Sequence, residues 1–172
     1  MLSDRSKSIL TLMLLAFLIA GCLAEDPSSF RSVDTLLSGL WIQDAPSPAG
    51  PPTIDLRPDQ SFEAYSSAVP GITVAGYTGK YWQANGVIAF RGTSSVPGIH
   101  VQFVTFRITD SPVLVLTLTG ISDAYVAKTV GVEDLSSLSA DDVQSAMRRL
   151  DGLPVPDTAL EYSWTYRKTG PR

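Results

Sequence analysis

Two hydrophobic patterns divide the chain. Near the start, Ile9 to Ala20 form a run without charge or proline. From Thr53 onward apolar and polar residues alternate, with turn signals at short intervals, which is the pattern of antiparallel sheet. Ile54 and Leu56 share one face of the first such strand, and Pro58-Asp59-Gln60-Ser61 predicts a turn into Phe62 and Ala64. Asn85-Gly86 sits between Tyr81-Trp82 and Val87-Ile88-Ala89-Phe90. That pair favours the left-handed dihedrals of a tight hairpin. In the stretch Ile99 to Ile108, Ile99, Val101, Phe103 and Thr105 share one face, and His100, Gln102, Val104 and Phe106 share the other. Leu114, Leu116 and Leu118 all point the same way in a strand rich in β-branched residues. Tyr125 to Val130 and Leu160 to Lys168 predict two further strands.

One helix is expected to interrupt the sheet. Ser139 is an N-cap type, Asp141 and Asp142 suit the positive end, and Val143, Met147 and Leu150 form an apolar stripe. Arg148 and Arg149 complement its C-terminus, and Gly152 and Pro154 stop it. A mainly β fold follows: about eight antiparallel strands in an up-and-down barrel or a strongly curled sheet, with one late helix over about 139–150.

The apolar run near the start is too short to span a membrane, since a spanning helix needs roughly 20 apolar residues and a signal peptide only about 7 to 15. Arg5 and Lys7 precede it, and it ends in Leu18-Ile19-Ala20-Gly21-Cys22. That ending resembles the lipobox of bacterial lipoproteins, an aliphatic residue and two small ones before an acceptor cysteine. The resemblance implies cleavage before Cys22, lipid on its thiol and residence in the cell envelope. In a Gram-negative host, Leu23 in place of an aspartate implies the outer membrane. Residues 1–21 are then the signal peptide, 22–30 the acylated cysteine with a polar tether through Glu25 and Asp26, and 31–172 a single domain.

Composition narrows the chemistry. Losing residues 1–21 removes Asp4, Arg5 and Lys7, so the formal charge moves from −4 to −5. Such a surface repels phosphate backbones and disfavours nucleic acid. Cys22 is the only cysteine, so lipidation leaves no thiol for a disulfide, a zinc site or a nucleophile. The only histidine is His100, which by count excludes a His-rich metal site. No G-x-S-x-G elbow accompanies it. Asp55, Asp59 and Glu63 cluster around a turn without the spacing of a calcium loop. The sequence argues against an enzyme and implies no cofactor.

Ser38-Gly39-Leu40-Trp41 resembles the Gly-x-Trp signature that opens the first barrel strand of lipocalins and related calycin barrels. Trp164-Thr165-Tyr166-Arg167 looks like their last strand. The resemblance implies that Arg167 lies across Trp41 and closes the barrel floor, a contact worth about 0.5 to 2 kcal/mol. It also implies a pocket for a small apolar or amphipathic ligand. Tyr65, Tyr77, Tyr81, Trp82, Phe90, Phe103, Phe106 and Tyr125 are the candidate lining, and Arg91 or Arg107 the candidate holder of a headgroup. If the interior is narrow, the same aromatics are packed core. The protein would then work through an envelope partner, touching it with the loops Ala45 to Pro52 and Ser94 to Gly98.

Overall fold

Eight strands pair in chain order, each antiparallel to the next, and the last returns to the first to close a barrel. In the computed structural model the described residues are 36–44, 51–65, 75–110 and 113–169. Residues 1–21 and 22–30, expected as signal peptide and as acylated Cys22 with its tether, and the proline-rich residues 45–50 lie outside them. The strands are β1 (Gly39–Gln43), β2 (Thr53–Leu56), β3 (Ser61–Tyr65), β4 (Ala75–Gln83), β5 (Val87–Ser94), β6 (Ile99–Asp110), β7 (Leu114–Ile121) and β8 (Leu160–Thr169). Between β7 and β8 come two helices, α1 (Asp123–Val130) and α2 (Ala140–Asp151), and two short 3-10 turns, 135–137 and 157–159. The expected eight-stranded up-and-down barrel is therefore present, and it closes, leaving no sheet edge among the described strands.

Alternation sets which side chains fill it. Register carries one face from Trp41 to Ile54, Ala64 and Tyr77, and on through Tyr81, Phe90, Val104 and Leu118 to Trp164 and Tyr166. That face points inward. Leu114, Leu116 and Leu118 lie on it and are all buried, as their spacing predicts.

The outer face of β5 and β6 is also buried. Val87, Ala89, Val101 and Phe103 pack against Val126, Leu135, Leu138, Val143, Met147 and Leu150 from the helical insertion. The run Val87-Ile88-Ala89-Phe90 is buried at every position because β5 is covered on both sides.

α2 matches its expected limits. Ser139 Oγ accepts from the Asp142 amide at 3.2 Å, and the Asp142 carboxylate accepts in turn from the Ser139 amide at 3.2 Å. This is a reciprocal capping box. The strand expected over Tyr125 to Val130 is instead helix α1. Ser122 caps its first turn by accepting from Tyr125 N at 3.4 Å, and Gly131 ends it at φ 81°. Val126 is its buried residue. The apolar residues there sit at helical spacing under these caps, which overrides β propensity.

The Asn85-Gly86 hairpin joins β4 to β5 as expected, but neither residue takes a positive φ. Its geometry is held from outside. Asp151 Oδ1, at the end of α2, accepts from Gly86 N at 2.8 Å, and Oδ2 lies 3.4 Å from Asn85 Nδ2.

Candidate ligand cavity

The two halves of the barrel differ. Around β1 the interior is packed: Trp41 and Leu37 are fully buried, and Trp41 Nε1 donates to Leu37 O at 2.7 Å. Leu56, Ile88 and Leu116 are also inaccessible. Tyr81 belongs to this filled half. Its hydroxyl donates to Arg57 O at 3.0 Å and ties β4 to the β2–β3 turn.

The cation above the Trp41 ring is Lys168, with Nζ 5.5 Å from the ring centre. Arg167, expected there, is one residue out of phase. It pairs with Ile42, points outward and forms an ion pair with Asp44. Strand parity decides this, because Trp41 sits opposite Lys168 in the β1–β8 ladder and adjacent residues face opposite sides.

Beyond this floor a pocket opens at the other end of the barrel. A cavity of about 380 Å³ is lined by Ile54, Phe62, Ala64, Tyr77, Phe90, Gln102, Val104, Leu118, Trp164 and Tyr166, with Pro51, Pro52, Tyr65 and Gly76 at its rim. Those rim residues flank the connections 45–50 and 66–74. The volume falls within the range of small-molecule sites.

An aromatic cluster forms part of the wall. Phe62 meets Tyr77 edge-on at 4.8 Å and Phe90 at 5.0 Å between ring centres. The strands under it approach closely at Gly79 and Gly92, which pair across β4 and β5.

The polar atoms of the wall are mostly engaged. Tyr77 OH donates to His100 O at 2.9 Å, and Tyr166 OH donates to Pro51 O at 3.1 Å. Burial pushes both phenols above the usual tyrosine range. Tyr65 OH donates to Glu63 at 2.7 Å. That bond, followed by the one from Arg57, holds the Glu63 carboxyl below its ordinary range. Two polar groups remain. The Gln102 side chain is exposed, and the buried Trp164 Nε1 has no acceptor among the described residues.

Of the expected pocket residues, Tyr65, Tyr77 and Phe90 line the cavity, Tyr65 only at the rim. Tyr81 and Phe106 are on the inner face by register but outside the lining. Trp82 and Phe103 belong to the outer core under the helices, and Tyr125 packs there from α1. Arg107 is exposed on the outer face. Arg91 faces outward as well, and its Nε donates to Leu138 O at 3.0 Å. Neither arginine can hold a headgroup inside.

Sequence reasoning passed over Ile54, Phe62, Gln102, Val104, Leu118, Trp164 and Tyr166 as lining. Parity counted outward from Trp41 through each turn would have found them, because they share its face.

A second groove, about 360 Å³, lies between the start of β6 and α1, beside Asp123, Glu133 and Asp134. Burial raises the Asp123 carboxyl. Among the described residues no three His, Cys, Asp or Glu side chains are placed to hold a metal ion.

A closed up-and-down barrel of eight strands, packed at one end and with a pocket at the other, has a lipocalin-like architecture. No protein-family model, curated protein or solved structure matches the chain.

Proposed function

We propose that this protein is a lipid-anchored envelope lipoprotein whose barrel binds a small apolar or amphipathic molecule, without catalysing a reaction on it. The observation that carries the binding reading is the 380 Å³ cavity walled by Ile54, Phe62, Phe90, Val104 and Leu118. An apolar pocket at the mouth of a closed barrel is the kind of concave site that such a ligand needs. The anchoring reading is supported by Leu18-Ile19-Ala20-Gly21-Cys22 and by the absence of any other cysteine. Two or three acyl chains, at about 0.8 kcal/mol per buried CH₂, would hold it at a membrane. Outer-membrane residence in a Gram-negative host rests on Leu23.

A form beginning at Ala24 keeps the whole barrel, because every ladder closes between Gly39 and Thr169. Native mass spectrometry and solvent extraction of that form, purified from its own envelope, test the binding reading. A stoichiometric apolar passenger supports it and names the ligand class. A clean apo mass, with no shift on adding hydrophobic dyes, overturns it in favour of a protein partner. Val96, 60% exposed on the connection between β5 and β6, is then the first place to look for the contact. Metabolic labelling with palmitate tests the anchor: label present in the wild type and lost in Cys22→Ser is expected, and label retained in the variant refutes it.

A further inference from the structure

We infer that the molecule held in the pocket carries an oxygen acceptor, such as a carbonyl beside its apolar body, and presents it to the indole N–H of Trp164. This rests on the binding reading above and names the polar group of the ligand.

Two tryptophans on the inner face of the barrel differ in the company of one atom. Trp41 Nε1, in the floor, donates to Leu37 O at 2.7 Å. Trp164 is only 7% exposed. Its Nε1 is closed to solvent and has no acceptor among the described residues. An indole N–H is a donor only, and a buried donor left without a partner costs a fold more than a typical hydrogen bond contributes. Native structures leave few such groups, and each calls for an explanation, an ordered water or a bound molecule among them.

The pocket is the space in which that partner fits. Trp164 lines it from β8, standing opposite Leu118 in the β7–β8 ladder. The other polar groups of the wall are satisfied without a ligand. Tyr77 OH donates to His100 O, Tyr166 OH to Pro51 O and Tyr65 OH to Glu63, while Gln102 is exposed to water. The Trp164 N–H has neither a protein acceptor nor solvent.

The ring also has room to meet a bound molecule. It borders Gly120 on the inner face of β7, where an added Cβ would lie 3.6 Å from Trp164 Cη2. With no side chain at that position, a small tilt of the indole suffices to turn its N–H toward the pocket.

The test uses the soluble form beginning at Ala24 and a matched pair of probes. Diphenylmethane and benzophenone share one skeleton and differ by the exchange of CH₂ for C=O. Each competes with diphenylhexatriene, a hydrocarbon that fluoresces when bound. The ratio of the two affinities is compared between wild type and Trp164→Phe, which cancels their unequal solubilities in water. It should shift toward the hydrocarbon by about fivefold in the variant, the size of one net hydrogen bond. An unchanged ratio overturns the inference. A second measurement needs no variant and so stands even if Trp164→Phe fails to fold. In ¹⁵N-labelled wild type, the assigned Trp164 indole signal should move downfield with benzophenone and much less with diphenylmethane. Equal movement with both, no movement with either, or failure of benzophenone to displace a bound dye overturns the inference and leaves the binding reading standing. No binding of the dye overturns the binding reading itself.

Discussion

Lys168 Nζ stands 5.5 Å from the centre of the Trp41 ring, at the point where the first and last strands close the barrel. The tryptophan is fully buried and also bonds to Leu37 O. Burial pulls the Lys168 ammonium below the usual lysine range, a desolvation cost that the indole face partly offsets. Arg167, next along the strand, has only an exposed ion pair with Asp44. Their truncations should therefore rank clearly in urea unfolding. Trp41→Ala costs about 3 to 5 kcal/mol, Lys168→Ala about 1 kcal/mol and Arg167→Ala less than about 1 kcal/mol. If Arg167→Ala proved the more damaging of the two cations, the floor assigned here would be wrong.

How much of this could be read beforehand depended on which physical signal each element used. The strands announced themselves by alternation, and Leu114, Leu116 and Leu118 point where their spacing puts them. α2 could be placed because Ser139, the two aspartates and Gly152 bracket an apolar stripe. α1 was hidden by composition. Tyr125, Val126 and Val130 favour strands one by one, while the decisive marks, Ser122 before them and Gly131 after, are single residues at the ends. The cavity was the hardest to read. Aromatic residues in strands say nothing about side until register is known, and a one-residue slip moves a side chain across the wall. Phe90 lies inside and Phe103 outside for that reason alone. The four consecutive buried residues Val87 to Phe90 were the available sign that helices cover the outer face.

Gly79 and Gly92 should tolerate no side chain. A Cβ on Gly79 would lie 2.1 Å from Arg91 O, and one on Gly92 would lie 2.1 Å from Thr78 O. Both obstacles are backbone, so no rotamer change relieves them. Gly79→Ala is expected to destabilise by about 3 kcal/mol or more, at the upper end of overpacking costs. Gly120→Ala is the control, because its Cβ would find ordinary contacts at 3.6 Å. Thermal unfolding of the two variants side by side checks the contrast. Equal melting temperatures would mean the β4–β5 approach is looser than described.

Asp151 links the helical layer to the β4–β5 turn through Gly86 N and Asn85. Asp151→Ala removes the acceptor from a partly buried amide, so a loss of about 1 to 2 kcal/mol is expected. The effect should be local first. Amide exchange at Gly86 should quicken while exchange in β8, on the far side of the barrel, stays slow. Uniform acceleration would point to global destabilisation instead.

Alkaline pH should loosen the barrel through two phenols. Tyr77 and Tyr166 both have their ionisation pushed up by burial. A raised folded-state value means the contribution is whole below the unfolded tyrosine value, near pH 10, and is lost as pH rises beyond it. The unfolded chain then ionises first, and each tyrosine removes about 1.4 kcal/mol per pH unit. Urea midpoints measured from pH 9 to 11.5 should fall above pH 10, and Tyr77→Phe should flatten part of that slope. A flat profile in the wild type would mean that these hydroxyls reach solvent.

The hollow half can be closed from the protein side. Ala64 is buried, lines the cavity and stands opposite Tyr77 in the β3–β4 ladder. A phenylalanine there would extend toward the 380 Å³ pocket, and strands accept aromatic residues readily. Ala64→Phe should therefore keep stability within about 1 kcal/mol of wild type, below the usual overpacking cost, while diphenylhexatriene binding falls at least about tenfold, the equivalent of 1.4 kcal/mol. The pairing of these two readouts matters. A filled barrel acting through its loops predicts a large loss of stability, because an extra ring would have nowhere to go. A genuine binding cavity predicts the reverse, a fold that persists and a ligand that is shut out.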